Sequence, residues 1–203
     1  MKIIKKICYT LVDFFSLKYL SYLRSNNNLI FSNIRVKGFP IIDIRNGGEI
    51  IIENNVLLNS RNFGYHINMA NRVKLFCDKP NAKISIGENS RIHGSCIHAF
   101  NNIKIGRNCL IAANCQIFDA SGHDLSFEDV DNRINTFVNS SPIVIEDSVW
   151  LGANSVILPG SKIGYGSVIG AGSVVKNEIP PMVIAAGNPV KIIKKYQNLR
   201  YYD

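Results

Sequence analysis

The sequence "SVWLGANSVILPGSKIGYGSVIGAGSVV", Ser148–Val175, carries a large aliphatic residue at every sixth position. These residues are Leu151, Ile157, Ile163, Ile169 and Val175. An α-helix returns a side chain to one face about every 3.6 residues and a β-strand does so at every second residue, so neither element explains this spacing. The period therefore indicates a coil of short strands and turns in which each unit brings one aliphatic side chain to a shared core.

The same period continues upstream of Ser148, and turn residues follow it in phase. Further aliphatic positions are Ile86, Ile92, Ile105, Ile111, Ile117 and Ile145. The third residue after the aliphatic one is usually Asn or Gly, at Asn89, Asn108, Asn114, Asn154, Gly160, Gly166 and Gly172, with Ser95, Ala120 and Ser148 as exceptions. The fourth residue is small, at Ser90, Cys96, Cys109, Cys115, Ser155, Ser161, Ser167 and Ser173. Because Gly and Asn tolerate a positive φ, we predict a sharp turn in each unit with a small side chain inside the corner.

Three such units close one coil, and stacked coils pair their strands at a spacing of about 4.8 Å. The sequence therefore predicts an all-β solenoid, a parallel β-helix with three flat faces and a column of aliphatic side chains inside. Each coil stabilises only its neighbours, so the ends of the stack need caps. The helical N-terminus and the irregular C-terminal tail are the segments that can supply them.

Two stretches interrupt the period. The 28 residues from Ile117 to Ile145 replace a step of six, so about 22 residues must leave the coil as a protruding loop at about 119–142. Long loops in compact domains usually carry function. Between Asn33 and Cys77 the period drifts, and we interpret this stretch as degenerate coils with interruptions. The predicted organisation is a helical segment at 1–30, a β-helix at 31–190 and a tail at 191–203.

The composition is that of a globular protein with an excess of positive charge. Of 203 residues, 46% are hydrophobic and 19% are charged, and the net charge of +8 predicts an anionic ligand or surface. No nucleic-acid-binding motif accompanies the charge, so nucleic acid is not an expected partner. The five cysteines form no C-x-x-C pair and indicate reduced thiols in the cytoplasm. We expect Cys96 and Cys115 to stack one coil apart as small core residues, in a geometry that would also permit a disulfide.

The first 24 residues combine basic and apolar side chains. Asp13 interrupts the apolar stretch and no small-residue cleavage site follows, so we do not expect a signal peptide, and the segment is too charged and short to span a membrane. As a helix it carries an apolar stripe at Ile4, Cys8, Leu11, Phe15, Tyr19 and Tyr22, and cations at Lys2, Lys5, Lys6, Lys18 and Arg24. Two interpretations stay open: the helix packs on its own domain or a partner subunit, or residues 1–24 contact an acidic membrane surface.

Three motifs resemble those of the hexapeptide-repeat acyltransferases, in particular the maltose/galactoside acetyltransferases and the O-antigen or capsule O-acetyltransferases. They are "IAANCQIFDASGHD" at 111–124, "SVWLGANSVILPGSKIG" at 148–164 and "VIGAGSVVKNEIPPMVIAAGNPVKII" at 168–193. The resemblance covers about 84–195. It implies a left-handed coil, a homotrimer and acetyl-CoA as the acyl donor.

In that family a histidine of the protruding loop is the general base, and His123 is the residue that matches. A sugar hydroxyl is a weak nucleophile, so a base must take its proton as it attacks a thioester. A histidine with an ordinary pKa is mostly neutral in the cytoplasm and can accept that proton. A solvated loop histidine with no catalytic role is the alternative.

The resemblance also assigns the donor and acceptor residues. It implies that the backbone N–H of Ala153 binds the oxyanion and that Trp150 flanks the pantetheine, unless Trp150 is only a packing residue. Acetyl-CoA would lie in a groove between two subunits, against Ala171, Lys176, Asn177, Gly187, Pro189, Lys191 and Lys194. Relatives often place a threonine and then a lysine where this chain has Lys176 and Asn177. For the acceptor, His93 replaces a family asparagine, and Asp119 could orient the imidazole, bind a sugar hydroxyl or be a surface carboxylate.

The function predicted from these residues is an acetyl-CoA-dependent O-acetyltransferase that acts on a sugar hydroxyl in surface polysaccharide biosynthesis. We expect it in the cytoplasm, peripherally at the inner face of the cell membrane, and without a metal. One alternative is N-acetylation of an amino sugar on a nucleotide carrier. Others are a zinc site like that of gamma-class carbonic anhydrases, built on His93 and His98, and a non-catalytic solenoid.

Overall fold

The chain begins with a long α-helix and continues as a stack of short strands, in a computed structural model that describes residues 2–137 and 139–196. The helix, α1, spans Lys2–Asn26, and a 3₁₀ turn spans Val130–Asn135. The strands in chain order are β1 (Leu29–Phe31), β2 (Arg35–Lys37), β3 (Ile41–Ile44), β4 (Glu49–Ile52), β5 (Leu57–Asn59), β6 (Lys74–Cys77), β7 (Lys83–Ile86), β8 (Arg91–His93), β9 (Cys96–Ala99), β10 (Asn102–Ile105), β11 (Leu110–Ile111), β12 (Gln116–Phe118), β13 (Ile143–Ile145), β14 (Trp150–Leu151), β15 (Val156–Ile157), β16 (Lys162–Ile163), β17 (Val168–Ile169), β18 (Val174–Val175), β19 (Glu178–Ile179), β20 (Val183–Ala186) and β21 (Lys191–Lys195).

The strands form three parallel sheets that are the faces of a prism. The first face has the order β1-β4-β7-β10-β13-β16-β19, the second β2-β5-β8-β11-β14-β17-β20-β21 and the third β18-β15-β12-β9-β6-β3. Each coil from β1 to β18 gives one strand to each face, and among residues 2–137 and 139–196 only β21 pairs antiparallel, with β20. The predicted parallel solenoid with three faces is therefore confirmed.

The periodic aliphatic residues form the core. Ile111 pairs with Ile92 and Leu151 on the second face, and Ile117 pairs with Ile97 and Ile157 on the third. Each of these side chains is at most 1% exposed. Burying a side chain of this size contributes about 1.5–3 kcal/mol to folding, so the column of stacked aliphatic residues stabilises every coil through its neighbours.

The predicted turn residues have positive φ angles. They are Asn89, Asn108, Asn114, Asn154, Gly160, Gly166 and Gly172, and Ser148 joins them with a φ of 61°. Between Ile92 and Ile97 the repeat is one residue short, so Gly94 takes the left-handed position in that unit.

This short unit corrects the prediction for Cys96. Ser95 fills the buried corner and its hydroxyl accepts the N–H of Cys115 at 2.9 Å, while Cys96 pairs with Gln116 and is only half-buried. Cys96 and Cys115 therefore do not stack as equivalent core residues. All five cysteines are free thiols, as their interpretation as reduced thiols requires.

Helix α1 packs across the first coil through a mixed polar and apolar face. Leu20 and Ser16 are buried, and Asp13 pairs with the guanidinium of Arg61 and accepts the N–H of Gly38 at 2.8 Å. The described part of the predicted apolar stripe, including Leu11, instead faces away from the prism. The side chain of Ile4 lies outside the described residues. No helix in the described part of the chain is long and apolar enough to cross a membrane.

Two inserts leave the prism at different edges. Residues 60–73 join β5 on the second face to β6 on the third, and residues 119–142 join β12 on the third face to β13 on the first. The insert at 60–73 leaves at the edge between the second and third faces, which we name the cavity edge. This edge also holds the turns at Ala113–Asn114, Ala153–Asn154 and Ala171–Gly172. The loop at 119–142 leaves at the edge between the third and first faces, which we name the loop edge and which also holds Lys176–Asn177. In a three-sided prism the loop edge lies opposite the second face.

Candidate functional site

A cavity of about 900 Å³ opens along the second face and the cavity edge. Its lining combines aliphatic side chains and backbone with two imidazoles, one phenol and one guanidinium. The lining residues are Tyr65, His66, Ile67, Asn68, Arg91, His93, Leu110, Ile111, Ala112, Trp150, Gly152, Ala153, Asn154, Val168, Ile169, Gly170 and Ala171. A largely apolar concave surface with a few convergent polar groups is the usual form of a ligand site.

The strand register arranges the outward side chains of the second face in one ladder along the prism. Its rungs are Arg91, Leu110, Trp150, Val168, Ile184 and Lys194. Trp150 is 50% exposed and stands in the middle, between two aliphatic neighbours. An indole that is half exposed at the centre of a cavity offers a flat surface to a ligand.

The turn after Trp150 presents backbone to the cavity. The N–H of Gly152 donates to Ile169 and the N–H of Asn154 donates to Ala113, at 2.7 and 2.9 Å. Between them, the Ala153 N–H has no acceptor among residues 2–137 and 139–196. Gly152 is required here because a Cβ would lie 2.5 Å from the backbone nitrogen of Ala171 in the next coil. This close stacking fixes the direction of the turn.

The insert at 60–73 forms one wall of the cavity. It is held to the cavity edge by Asn114, whose side chain accepts the N–H of Ala70 at 3.0 Å and donates to the carbonyl of Asn68 at 3.1 Å. This insert carries Tyr65 and His66 into the wall, and neither residue was predicted from the sequence to belong to the site. A gap of 14 residues in the six-residue pattern, between Asn59 and Lys74, is the signal that marks it.

His93 lies on β8 at the end of the cavity that the insert covers. Its Nδ1 lies 3.0 Å from the Asn59 amide nitrogen, and its ring stacks on Tyr65 with centroids 4.6 Å apart. Burial lowers the pKa of His93 to about 4, and the positive charges of Lys37 and Arg91 act in the same direction. His93 is therefore a neutral imidazole near neutral pH, in the place where the sequence predicted an acceptor-binding residue.

His123 lies elsewhere in the chain. It is exposed on the protruding loop, whose root is at the loop edge, and it is not among the residues that line the cavity. The loop is ordered beside it, because the Thr136 hydroxyl accepts the N–H of Asp124 at 2.9 Å. Within one chain, the predicted base and the predicted oxyanion donor are therefore not brought together.

Asp119 requires a correction. It is fully buried, and its two carboxylate oxygens accept the N–H groups of Phe100, Asn101 and Asn102 at 2.7, 2.9 and 2.8 Å. It does not contact His123 and is not available to a sugar hydroxyl. Because the buried carboxylate accepts three consecutive backbone N–H groups, Asp119 holds the loop edge together at the root of the loop.

The other predicted donor-binding residues divide into two groups. Ala171 lines the cavity, and Gly187 and Pro189 lie in the turn beside it, where the Gly187 N–H donates to the Ser173 hydroxyl at 3.0 Å. The exposed Lys191 and Lys194 continue the second face on β21. The structure places Lys176 and Asn177 apart from these residues, at the loop edge between β18 and β19.

His93 and His98 lie on different faces, on β8 and β9 respectively. The ring of His98 stacks on Phe76, with centroids 4.3 Å apart, and its buried Nε2 has no hydrogen-bond partner in the described residues. Burial lowers the pKa of His98 as well. No group of three potential metal-binding side chains is found among the residues that the structure describes.

Two family models match this chain in the regions that form the regular coils. The model described as "Bacterial transferase hexapeptide (six repeats)" matches residues 142–177, and "Hexapeptide repeat of succinyl-transferase" matches residues 83–118. The chain spans about half the length of the first curated relatives that it matches, proposed acetyltransferases of yeasts and Staphylococcus aureus, with 44%, 59% and 57% of their lengths covered.

Further matches link the chain to acetyltransferases. WbbJ of Escherichia coli, whose name proposes O-acetyl transfer in lipopolysaccharide biosynthesis, is 33% identical over 84% of this chain and 83% of its own. The hexapeptide-repeat acetyltransferase VCA0836 of Vibrio cholerae, in complex with acetyl-CoA, is 32% identical over 65% of this chain and 71% of its own, with a TM-score of 0.55. A galactoside acetyltransferase in complex with coenzyme A is 39% identical over 58% of this chain and 61% of its own, with a TM-score of 0.51. The chain belongs to the hexapeptide-repeat acyltransferase family.

Proposed function

We propose that the protein is an acetyl-CoA-dependent O-acetyltransferase that acetylates a sugar hydroxyl. The observation that carries the proposal is the cavity, where Trp150, the Ala153 N–H and Ala171 meet along one edge of the prism. A relative that is 32% identical binds acetyl-CoA, which supports acetyl-CoA as the donor here. From the family we also infer a left-handed coil.

The donor has a natural path along the second face. With the thioester at Ala153, the pantetheine lies on Trp150 and runs past Val168 toward β21. Lys194 stands three rungs beyond Trp150 on the same ladder, at about 14 Å for strands spaced as in a sheet. The basic side chains of Lys191 and Lys194 are therefore placed to meet the phosphates of the donor.

The reaction needs a base, a nucleophile and an oxyanion donor. The sugar hydroxyl gives its proton to the imidazole of His123 while its oxygen attacks the thioester carbonyl carbon. The oxyanion that forms accepts the Ala153 N–H, which is preorganised by the turn and has no acceptor among the described residues. Collapse of the intermediate breaks the carbon–sulfur bond, and the leaving thiolate takes the proton from the imidazolium.

The site is completed by a second copy of the chain, in a homotrimer. His123 starts from the edge opposite Trp150, so a neighbouring copy must bring its loop to the cavity. The loop supports this assembly because it exposes several large apolar side chains, Leu125, Phe127, Ile134 and Phe137, and Phe137 is 90% exposed. Exposed apolar clusters of this kind usually mark surfaces that a partner covers.

The acceptor and the location follow from the relatives and from α1. The similarity to WbbJ and to a galactoside acetyltransferase supports a saccharide acceptor in surface polysaccharide biosynthesis. The exposed stripe of α1, which includes Leu11, Phe15 and Tyr22, supports peripheral contact with the cytoplasmic face of the membrane. Asp13, the one acidic residue of α1, is engaged with Arg61 on the opposite side of the helix.

The substitution His123→Ala tests the mechanism. We expect acetyl transfer to fall by about 10²–10⁴-fold, the usual contribution of a general base, with coenzyme A affinity unchanged because the proposed donor contacts are made by Trp150, Lys191 and Lys194. Transfer is measured by release of free thiol, and binding by calorimetry. Glu128→Ala, on the same exposed loop, is the matched control. Near-normal transfer by His123→Ala with intact binding would refute the assignment of the base.

A further inference from the structure

We propose that the acceptor is an acidic sugar and that Arg91 binds its carboxylate at the end of the cavity walled by the insert. This inference rests on the proposed function, because it concerns the acceptor half of the same cavity. It is carried by the charge distribution of the cavity, by the position of Arg91 on the ladder and by the hydrogen bonds that hold His93.

The charges at this end of the cavity have one sign. None of the described residues that line the cavity is Asp or Glu, whereas Arg91 lines it and is exposed. The positive charge of Lys37 contributes to the lowered pKa of His93, which places Lys37 close to the same end. A concave surface with charges of one sign attracts a ligand of the opposite sign.

The position of Arg91 separates it from the donor phosphates. It stands two rungs from Trp150 on one side, at about 10 Å, and Lys194 stands three rungs away on the other. A donor that runs from Ala153 toward Lys194 leaves Arg91 unused. Arg91 and Ala153 line the same cavity, so an acceptor sugar bound between them would bring its carboxylate to the guanidinium and a hydroxyl to the reacting carbon.

His93 adds a hydrogen-bond donor of fixed direction. The Asn59 amide oxygen accepts the N–H of Arg61 at 3.0 Å, so its nitrogen faces His93 and donates to Nδ1. The proton of the neutral imidazole then resides on Nε2, which is left to donate to an oxygen of the acceptor. A neutral N–H beside a guanidinium suits a carboxylate or a polarised hydroxyl and does not suit a cation.

The experiment compares matched acceptors in wild type and in Arg91→Gln. The probes are the methyl glycosides of glucuronate and galacturonate, each paired with its neutral sugar, glucose or galactose. We expect the wild type to acetylate at least one uronate with a kcat/KM about ten times that of its neutral partner. Arg91→Gln should lower that value by about 10–100-fold, the range expected for a charge-assisted contact, and lower it more than the value for the paired neutral sugar.

Arg72→Gln is the matched control. Arg72 is an exposed arginine of the insert at 60–73, and it does not line the cavity. Equal or better use of the neutral sugar in both pairs would overturn the inference while leaving the transferase intact. A loss of coenzyme A affinity in Arg91→Gln would also overturn it, because Arg91 would then serve the donor. If none of the four sugars is acetylated by the wild type, the proposed function itself fails.

Discussion

Asn59 shows how a single side chain sets the chemistry of another. Its amide links the Arg61 N–H to Nδ1 of His93, and Arg61 in turn pairs with Asp13 on α1. The imidazole is thereby fixed as an Nε2–H donor in a setting that lowers its pKa to about 4. At the scale of residues, His93 therefore presents an N–H to the cavity, whereas the exposed imidazole of His123, which we propose as the base, lies outside the cavity of its own chain.

The lowered pKa of His93 predicts a pH dependence of stability. The unfolded chain takes up a proton near pH 6.5, whereas the folded chain does so only near pH 4, so the unfolded state binds more protons between these values. The stability that His93 supplies is complete above about pH 6.5 and is lost as the pH falls toward 4. At pH 5 we expect a loss of about 2 kcal/mol or less, because the side chain is partly exposed.

The measurement is the apparent urea midpoint at pH 7.5 and at pH 5, in wild type and in His93→Gln. His98 is common to both proteins, so its contribution cancels in the difference. Around His93 the charged or titratable neighbours are Lys37, Arg91, His66 and Tyr65. If the wild type and His93→Gln lose equal stability on acidification, the imidazole is not buried as described.

At the scale of elements, the coils and the inserts differ in how far the sequence predicts them. The β-helix was predictable because each six-residue unit repeats the same local solution, an inward aliphatic residue followed by a left-handed turn. The wall at 60–73 was not, because its residues have no period and are held by contacts such as Asn114 with Asn68, 46 positions apart. Asp119 is a similar case, since its role depends on backbone donors 17–19 residues upstream.

Helix α1 gives the same lesson about orientation. The sequence shows an amphipathic helix, but the face that docks is decided by the partners of Asp13 and by the burial of Ser16 and Leu20. The apolar stripe that a sequence alone would place against the core is left exposed, with Phe15 at 59%. This exposed stripe, together with the cations Lys18 and Arg24, supports the proposed contact of α1 with an anionic lipid surface.

Membrane contact through α1 can be tested with vesicles. We expect the protein to sediment with vesicles of phosphatidylglycerol and phosphatidylcholine, and to stay in solution with phosphatidylcholine alone. The double substitution Leu11→Ser with Phe15→Ser should reduce sedimentation by about tenfold, since it removes two apolar side chains that would enter the lipid surface. Leu125→Ser with Phe127→Ser, on the protruding loop, is the matched control. Equal sedimentation of both double variants would exclude α1 as the lipid-binding element.

At the scale of the whole molecule, the residues of the proposed site lie at two different edges of the prism. The cavity edge carries Ala153, Ala171 and the insert wall beside Trp150 of the second face, and the loop edge carries the protruding loop with His123. Because the loop edge lies opposite the second face, one chain holds both halves of a site without joining them. The proposed cyclic trimer would place the loop of each copy against the cavity of the next, and the same contact would cover the apolar loop side chains.

Mixing two inactive variants is the most direct test of this shared site. His123→Ala removes the base, and Ala171→Trp fills the cavity from an exposed position, so each variant alone is inactive. In randomly mixed trimers about one site in four joins an intact loop to an intact cavity. We expect the mixed variants to show about a quarter of the acetyl transfer of the wild type. Mixed trimers that form, as shown with differently tagged copies, but regain no activity would contradict it.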